Sequence, residues 1–172
     1  MVSAKTNKSS GSSFWWTLIK NIKDLLFKHI LVPTDGSELS QKTVEKAITF
    51  AKEIDAKITF FCAVPQFPVM YYGLGVIFDS NSILDFEEES KSVCKEILNK
   101  AQESANEASV KSKTFYLISD YPADAIIEAS KQKDCDLIFM ASHGKKGIDK
   151  FFLGSETNKV LSHSNIPVLV YR

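Results

Sequence analysis

The strongest constraint in this sequence is an alternation. Five short apolar runs, at 29–33, 57–64, 114–118, 136–140 and 167–171, are separated by four stretches with helical spacing. The first helical stretch repeats Val44, Ala47, Ile48, Ala51 and Ile54. The second, much longer, repeats Phe86, Val93, Ile97, Ala101 and Ala105, the third opens with Pro122 in its first turn, and the fourth spans about 156–161. Strands joined by helices must run parallel, because the crossover returns the chain to the same end of the sheet. A parallel sheet needs cover on both faces, and right-handed crossovers supply it by winding in two directions. The expected fold is therefore α/β, a five-stranded parallel doubly wound sheet with helices on both faces. At 172 residues one such domain accounts for nearly the whole chain and needs no metal or disulfide to hold it.

Charge limits the partners. The chain carries 21 Lys and Arg against 21 Asp and Glu, which excludes a generally basic nucleic-acid binder. The balance is uneven: residues 1–28 hold five lysines against Asp24, leaving +4 there and −4 in the remainder. Residues 1–26 read as an extension with a flexible start, and residues 27–172 as the globular domain. Within the extension, 14–27 is apolar but interrupted by Lys20, Lys23 and Asp24. It is too short and too charged to span a bilayer, and no small-residue cleavage site follows it. On a helix its Trp, Leu and Ile residues share one side, which suits packing on its own domain or dimer mate, a partner helix or a peripheral membrane contact. The three cysteines and three histidines fit no zinc or redox spacing, so a cytoplasmic protein with buried thiols and no metal site of protein ligands is expected.

Ligands of doubly wound sheets bind beyond the carboxyl ends of the strands, where the winding reverses. Two loops there hold the informative residues. After the fourth strand the chain reads Ala141-Ser142-His143-Gly144, and later Gly154-Ser155-Glu156-Thr157 at the start of a helix. Glycines let backbone amides approach a ligand, and a helix start attracts phosphate. Gly144, Gly154 and Ser155 are candidate phosphate contacts, with the Ser155 and Thr157 hydroxyls as further donors. The alternative is that Gly144 and Gly147 make turns and Ser155 caps its helix. In the first loop, Asp35 would repel a phosphate 4 Å away by about 4 kcal/mol at an effective dielectric near 20. A ribose hydroxyl is the better partner for it, unless Asp35 serves only as a turn or N-cap residue.

Common catalytic motifs are absent: no GxxxxGK[ST], no GxGxxG and no GxSxG occurs. A Ser142, His143 and Asp35 triad can be drawn, but adjacent Ser and His side chains rarely share one hydrogen-bonding line. The segment 65–82, PQFPVMYYGLGVIFDSNS, is long for a connection and apolar enough to pack against something.

PTDGS after the first strand, DLIFMASHG ending the fourth, then GS nine residues on and a closing IPVLVYR resemble the universal stress protein family over residues 27–172. The resemblance implies an adenine nucleotide alpha hydrolase-like fold and a homodimer formed through the last strand. Nucleotide-binding members carry G-x2-G-x9-G-[ST], which falls here on Ala141, Gly144, Gly154 and Ser155. Alanine replaces the first glycine, which its backbone tolerates if φ is negative. By the same resemblance Asp35 binds ribose or adenine, Val64 lines the adenine pocket, and Pro33 and Thr34 shape that wall. His143, Glu156 and Thr157 belong to the implied nucleotide contacts. The implied ligand is ATP, with Mg²⁺ as companion of the phosphates, and the implied role is a regulatory sensor in stress response, not an enzyme. Three rivals remain: an interaction module with an empty nucleotide site, a phosphoacceptor receiver domain using Asp35 and Asp120, and an ATPase with real turnover.

Overall fold

The computed structural model describes residues 27–66, 80–144 and 153–172. The 1–26 extension, most of the 65–82 connection and Gly147 lie outside them. In chain order the elements are β1 (His29–Pro33), α1 (Glu38–Ile54), β2 (Lys57–Val64), α2 (Ser80–Glu107), β3 (Ser112–Ile118), α3 (Pro122–Gln132), β4 (Leu137–Ala141), α4 (Ser155–His163) and β5 (Val168–Tyr171). The strands form one parallel sheet in the order β3-β2-β1-β4-β5, as the alternation predicted. The winding reverses between β1 and β4. Helix α2 starts at Ser80, so the end of the 65–82 segment is helical and not loop.

Position in the sheet explains each strand's composition. Central strands are covered on both faces and read as unbroken apolar runs. All of LIFMA in β4 is buried, as are the first four residues of β1. Edge strand β3 instead alternates, with Tyr116 and Ile118 exposed. Side chains divide by parity between two cores. Ile30, Val32, Phe60, Val64, Leu137 and Phe139 meet α1 and α2, while Leu31, Phe61, Ile138 and Met140 meet α3 and α4. Each large side chain fully buried this way contributes about 1.5–3 kcal/mol over its exposed state. Val44, Ala47, Ile48, Ala51 and Ile54 form the buried stripe of α1 that their spacing foretold.

The loop after β1 is set by short polar contacts. Ser37, not Asp35, is the N-cap of α1, accepting a hydrogen bond from the Ser40 amide. Gly36 takes φ +77, the left-handed region that favours glycine. Its neighbour Thr34 is buried against Ser40, with 3.0 Å between the hydroxyl oxygens.

At the start of β1, the amides of Lys28 and His29 donate to the Asp136 carboxylate at 2.7 and 2.9 Å. The His29 ring is buried, its Nε2 2.8 Å from the Thr59 hydroxyl. Burial, and then the Lys57 charge, push the His29 imidazole below its ordinary value, while the Asp134 and Lys133 backbone and the Asp136 charge pull the other way. A group with a lowered folded pKa stabilises the fold fully above its unfolded pKa, about 6.5. That stability is lost as pH falls through the folded value. Urea unfolding at pH 7 and pH 5 is expected to show a loss that His29→Gln reduces. An equal loss in both proteins would remove His29 as the cause.

Candidate functional site

Beyond the carboxyl ends of the strands, where β1 and β4 diverge, lies a cleft of about 970 Å³. The loops after β1, β2 and β4 and the first turns of α3 and α4 open into it. Pro33, Thr34, Asp35, Ala141, His143, Gly144, Gly154, Ser155, Glu156 and Thr157 all line it. The two loops singled out in the sequence therefore meet at one place.

They meet closely. A Cβ on Gly144 would fall 2.5 Å from Asp35 Oδ2, so only a residue without a side chain lets the β4 loop lie on this carboxylate. Asp35 Oδ1 accepts the Ser37 amide at 3.0 Å, an Asx turn that fixes the carboxylate over the cleft. Gly154 is equally confined: its amide donates to the Ser142 carbonyl at 2.8 Å, and a Cβ would lie 3.2 Å from His143 Cα. Gly154 is also the N-cap of α4 and brings no capping side chain. Ser155 is thus the first helical residue and not the cap. The first turn of α4 lines the cleft, with the positive end of the helix dipole there, the arrangement that holds anions.

A second helix start, that of α3 at Pro122, opens on the same cleft. There the charge is already met, because Glu156 Oε2 accepts the Ala123 amide at 2.9 Å across 33 residues of sequence. Glu156 also pairs with Lys159.

Several expected roles change in detail. Thr157 is no phosphate donor through its hydroxyl, because Oγ1 donates to the carbonyls of Ala141 and Ser142, both at 3.1 Å. It ties α4 to the end of β4 instead. Val64 is 1% exposed and packed in the α1–α2 core, with its carbonyl accepting the Ser119 amide. Val64 is taken up by that core, and the cleft wall at this strand end consists of Cys62, Ala63 and Pro65. Ala141 meets the backbone condition for replacing glycine: among the described residues only Gly36, Asp55, Ser109 and Asp134 have positive φ. Against expectation the Ser142 and His143 side chains do meet, Oγ to Nδ1 at 3.1 Å. The contact uses Nδ1, the nitrogen that faces the acid in a hydrolase triad, and Ser142 is buried.

The opposite wall was missed from sequence. Phe86, Val93 and Ile97 of α2 line the cleft, with Met140 and Ile126 deeper and Asp120 at the rim. Helical spacing marked the first three as core positions. Their end of α2 runs past the sheet, so Val93 is 46% exposed. Asp120 accepts the Gln66 amide at 2.9 Å and anchors the chain leaving β2. The cleft is thus apolar on the α2 side and polar on the α4 side, the division an aromatic base and a phosphate would use. Among the described residues no group of three or more His, Cys, Asp or Glu is placed to hold a metal ion, and none of their helices is long and apolar enough to cross a membrane.

Comparison with known proteins identifies relatives of this chain and of its fold. A family model described as the universal stress protein family matches residues 26–172. The chain is 33% identical to universal stress protein MJ0531 of Methanocaldococcus jannaschii over 91% of its own length and 88% of the relative's. With universal stress protein YxiE of Bacillus subtilis it shares 32% over 86% of its length and all of the relative's. Three solved structures share the fold. A universal stress protein in complex with cAMP has a TM-score of 0.63 at 23% identity, covering 85% of this chain and 97% of that one. The Archaeoglobus fulgidus protein in complex with dAMP has 0.61 at 18%, covering 84% and 98%. An Arabidopsis thaliana family member with AMP bound has 0.59 at 16%, covering 83% and 90%.

Proposed function

Because the chain belongs to the universal stress protein family, we propose that it binds an adenine nucleotide, ATP in particular, in the cleft between β1 and β4. The observation that carries this reading is the Asp35–Gly144 contact beside the start of α4. It sets a hydrogen-bond acceptor suited to ribose next to a helix start suited to phosphate, and α2 supplies an apolar wall for the base. Family members of the same fold with cAMP, dAMP and AMP bound support the nucleotide class.

In this reading Asp35 accepts from ribose, Pro33, Thr34, Ala63 and Pro65 border the base, and Gly144, Gly154 and Ser155 meet the phosphates. Mg²⁺ accompanies the phosphates, bound chiefly by their oxygens and water. The protein is a cytoplasmic regulator or sensor in stress response, not an enzyme of metabolic flux. It pairs with a second copy through β5, the edge strand whose four residues are all part-exposed.

Calorimetric titration of the full chain with ATP, ADP, AMP, cAMP and GTP tests the proposal, with phosphate release followed in parallel. Adenine nucleotides are expected to bind and GTP to bind weakly or not at all. Asp35→Asn is expected to lose about tenfold in affinity, as a charge-assisted hydrogen bond becomes a neutral one. Absence of heat and of thermal shift with every nucleotide would favour an interaction module of the same fold. Turnover abolished by Asp35→Asn would make it an ATPase.

A further inference from the structure

We propose that Cys62 and Cys94 form a dithiol that hydrogen peroxide converts to a disulfide, a modification site in the wall of the cleft. The two come from different elements. Parity along β2 turns Cys62 to the same face as Phe60 and Val64, toward α2. Cys94 heads the buried stripe of α2 that continues through Leu98, Ala101 and Ala105. Both lie in one core cluster and both border the cleft, and Cys62 sits close enough to act on the Cys94 thiol. They are neighbours in space though 32 positions apart in sequence.

Reactivity follows from this setting. The Cys62 side chain holds the Cys94 thiol below its ordinary range, against the opposing effect of burial, and Lys95 adds to the lowering. The thiolate is the reactive form, and the cleft admits a molecule as small as peroxide. Cys94 as thiolate attacks one peroxide oxygen, forming the sulfenic acid and releasing hydroxide, which takes up the proton that Cys94 had lost. The Cys62 sulfur then attacks the sulfenic sulfur. The S–S bond forms, the S–O bond breaks, and the Cys62 proton leaves with the hydroxyl group as water. Two thiols and one peroxide give one disulfide and two waters, each sulfur losing one electron and each peroxide oxygen gaining one.

Cys135 is the built-in comparison. It lies in the other core, and burial, then the Asp136 charge, push its thiol up to about 12. It stays protonated and inert at neutral pH.

The test is to expose the native full chain to peroxide, block remaining thiols under denaturing conditions, digest without reductant and map the peptides. Expected are a cross-linked pair containing Cys62 and Cys94, a Cys135 that is still alkylated, and recovery of both thiols with dithiothreitol. Cys62→Ser is expected to stop at a sulfenic acid on Cys94 that dimedone labels. Retention of both thiols, oxidation of Cys94 beyond the sulfenic acid without a cross-link, or Cys135 reacting in step would each overturn the proposal.

One consequence rests on the nucleotide reading. The disulfide draws α2 against β2 and reshapes the apolar wall, so oxidised protein is expected to bind AMP at least about fivefold more weakly, with recovery on reduction. If reduced protein fails to bind any nucleotide, the nucleotide reading falls and the cross-link stands. If the cross-link fails while AMP binds, the redox proposal falls alone. Equal AMP affinity in the two states would show that the disulfide does not govern the cleft.

Discussion

Gly36→Val is expected to lower the thermal midpoint by roughly 4–20 °C. The residue has φ +77, and a Cβ there would lie 2.9 Å from Ile97 Cδ1 and 3.0 Å from its Cγ1. A left-handed conformation costs a residue with a side chain about 1–2 kcal/mol, and overpacking adds about 1–3 kcal/mol. For a domain of this size each kcal/mol shifts the midpoint by about 2–4 °C. Gly36→Ala separates the two contributions, since it carries the backbone cost but meets only the end of a movable isoleucine. Its midpoint should fall between those of wild type and valine. A calorimetric scan in which the valine variant melts with the wild type would show that the loop after β1 does not depend on this packing.

Gly154→Val is expected to remove nucleotide binding with a much smaller change in fold. Here the obstacle is main chain. A Cβ would stand 3.2 Å from His143 Cα and 3.3 Å from the Ser142 carbonyl oxygen, and neither can swing aside. The first turn of α4 must move off the end of β4, taking the amides of Ser155 and Glu156 with it. Hydrogen bonds to charged groups contribute about 1.5–3 kcal/mol each. Losing two such bonds weakens AMP binding about a hundredfold or more. Ser155→Ala removes only a hydroxyl and should cost far less. Calorimetric titration, with circular dichroism to check the fold, decides it: wild-type affinity in Gly154→Val would place the phosphate away from α4.

The sheet was legible because its strands announce themselves. His29–Pro33 and Lys57–Val64 have the expected limits, since an unbroken apolar run between turn residues has few other uses. β4 begins one residue later than expected because Asp136 accepts the Lys28 and His29 amides, a contact with a partner 108 residues away. The start of α2 was hidden by a neighbouring stretch whose Pro and Gly residues read as loop.

In the cleft, the residues that touch it through the backbone were legible from glycine and turn chemistry. What side chains do there was harder to read. Glu156 reaches Ala123, Thr157 reaches Ala141, and Cys94 reaches Cys62, each across a span that no local spacing encodes. Val64 shows the same limit at smaller scale. The strand was found, but its alternation gives no sign that Cys62 and Ala63, and not Val64, border the cleft.

The sheet order also governs how the chain can assemble as it is made. β1 pairs with β2 almost at once, but its other neighbour, β4, lies beyond α2, β3 and α3, with Ile30 opposite Leu137. The central strand therefore keeps one unpaired edge until most of the chain has been synthesised. Long-range parallel pairing of this kind folds slowly and exposes a sticky edge while it waits. The cleft forms at that seam, so a nascent chain acquires its ligand site only when β1 and β4 have paired and the start of α4 has followed.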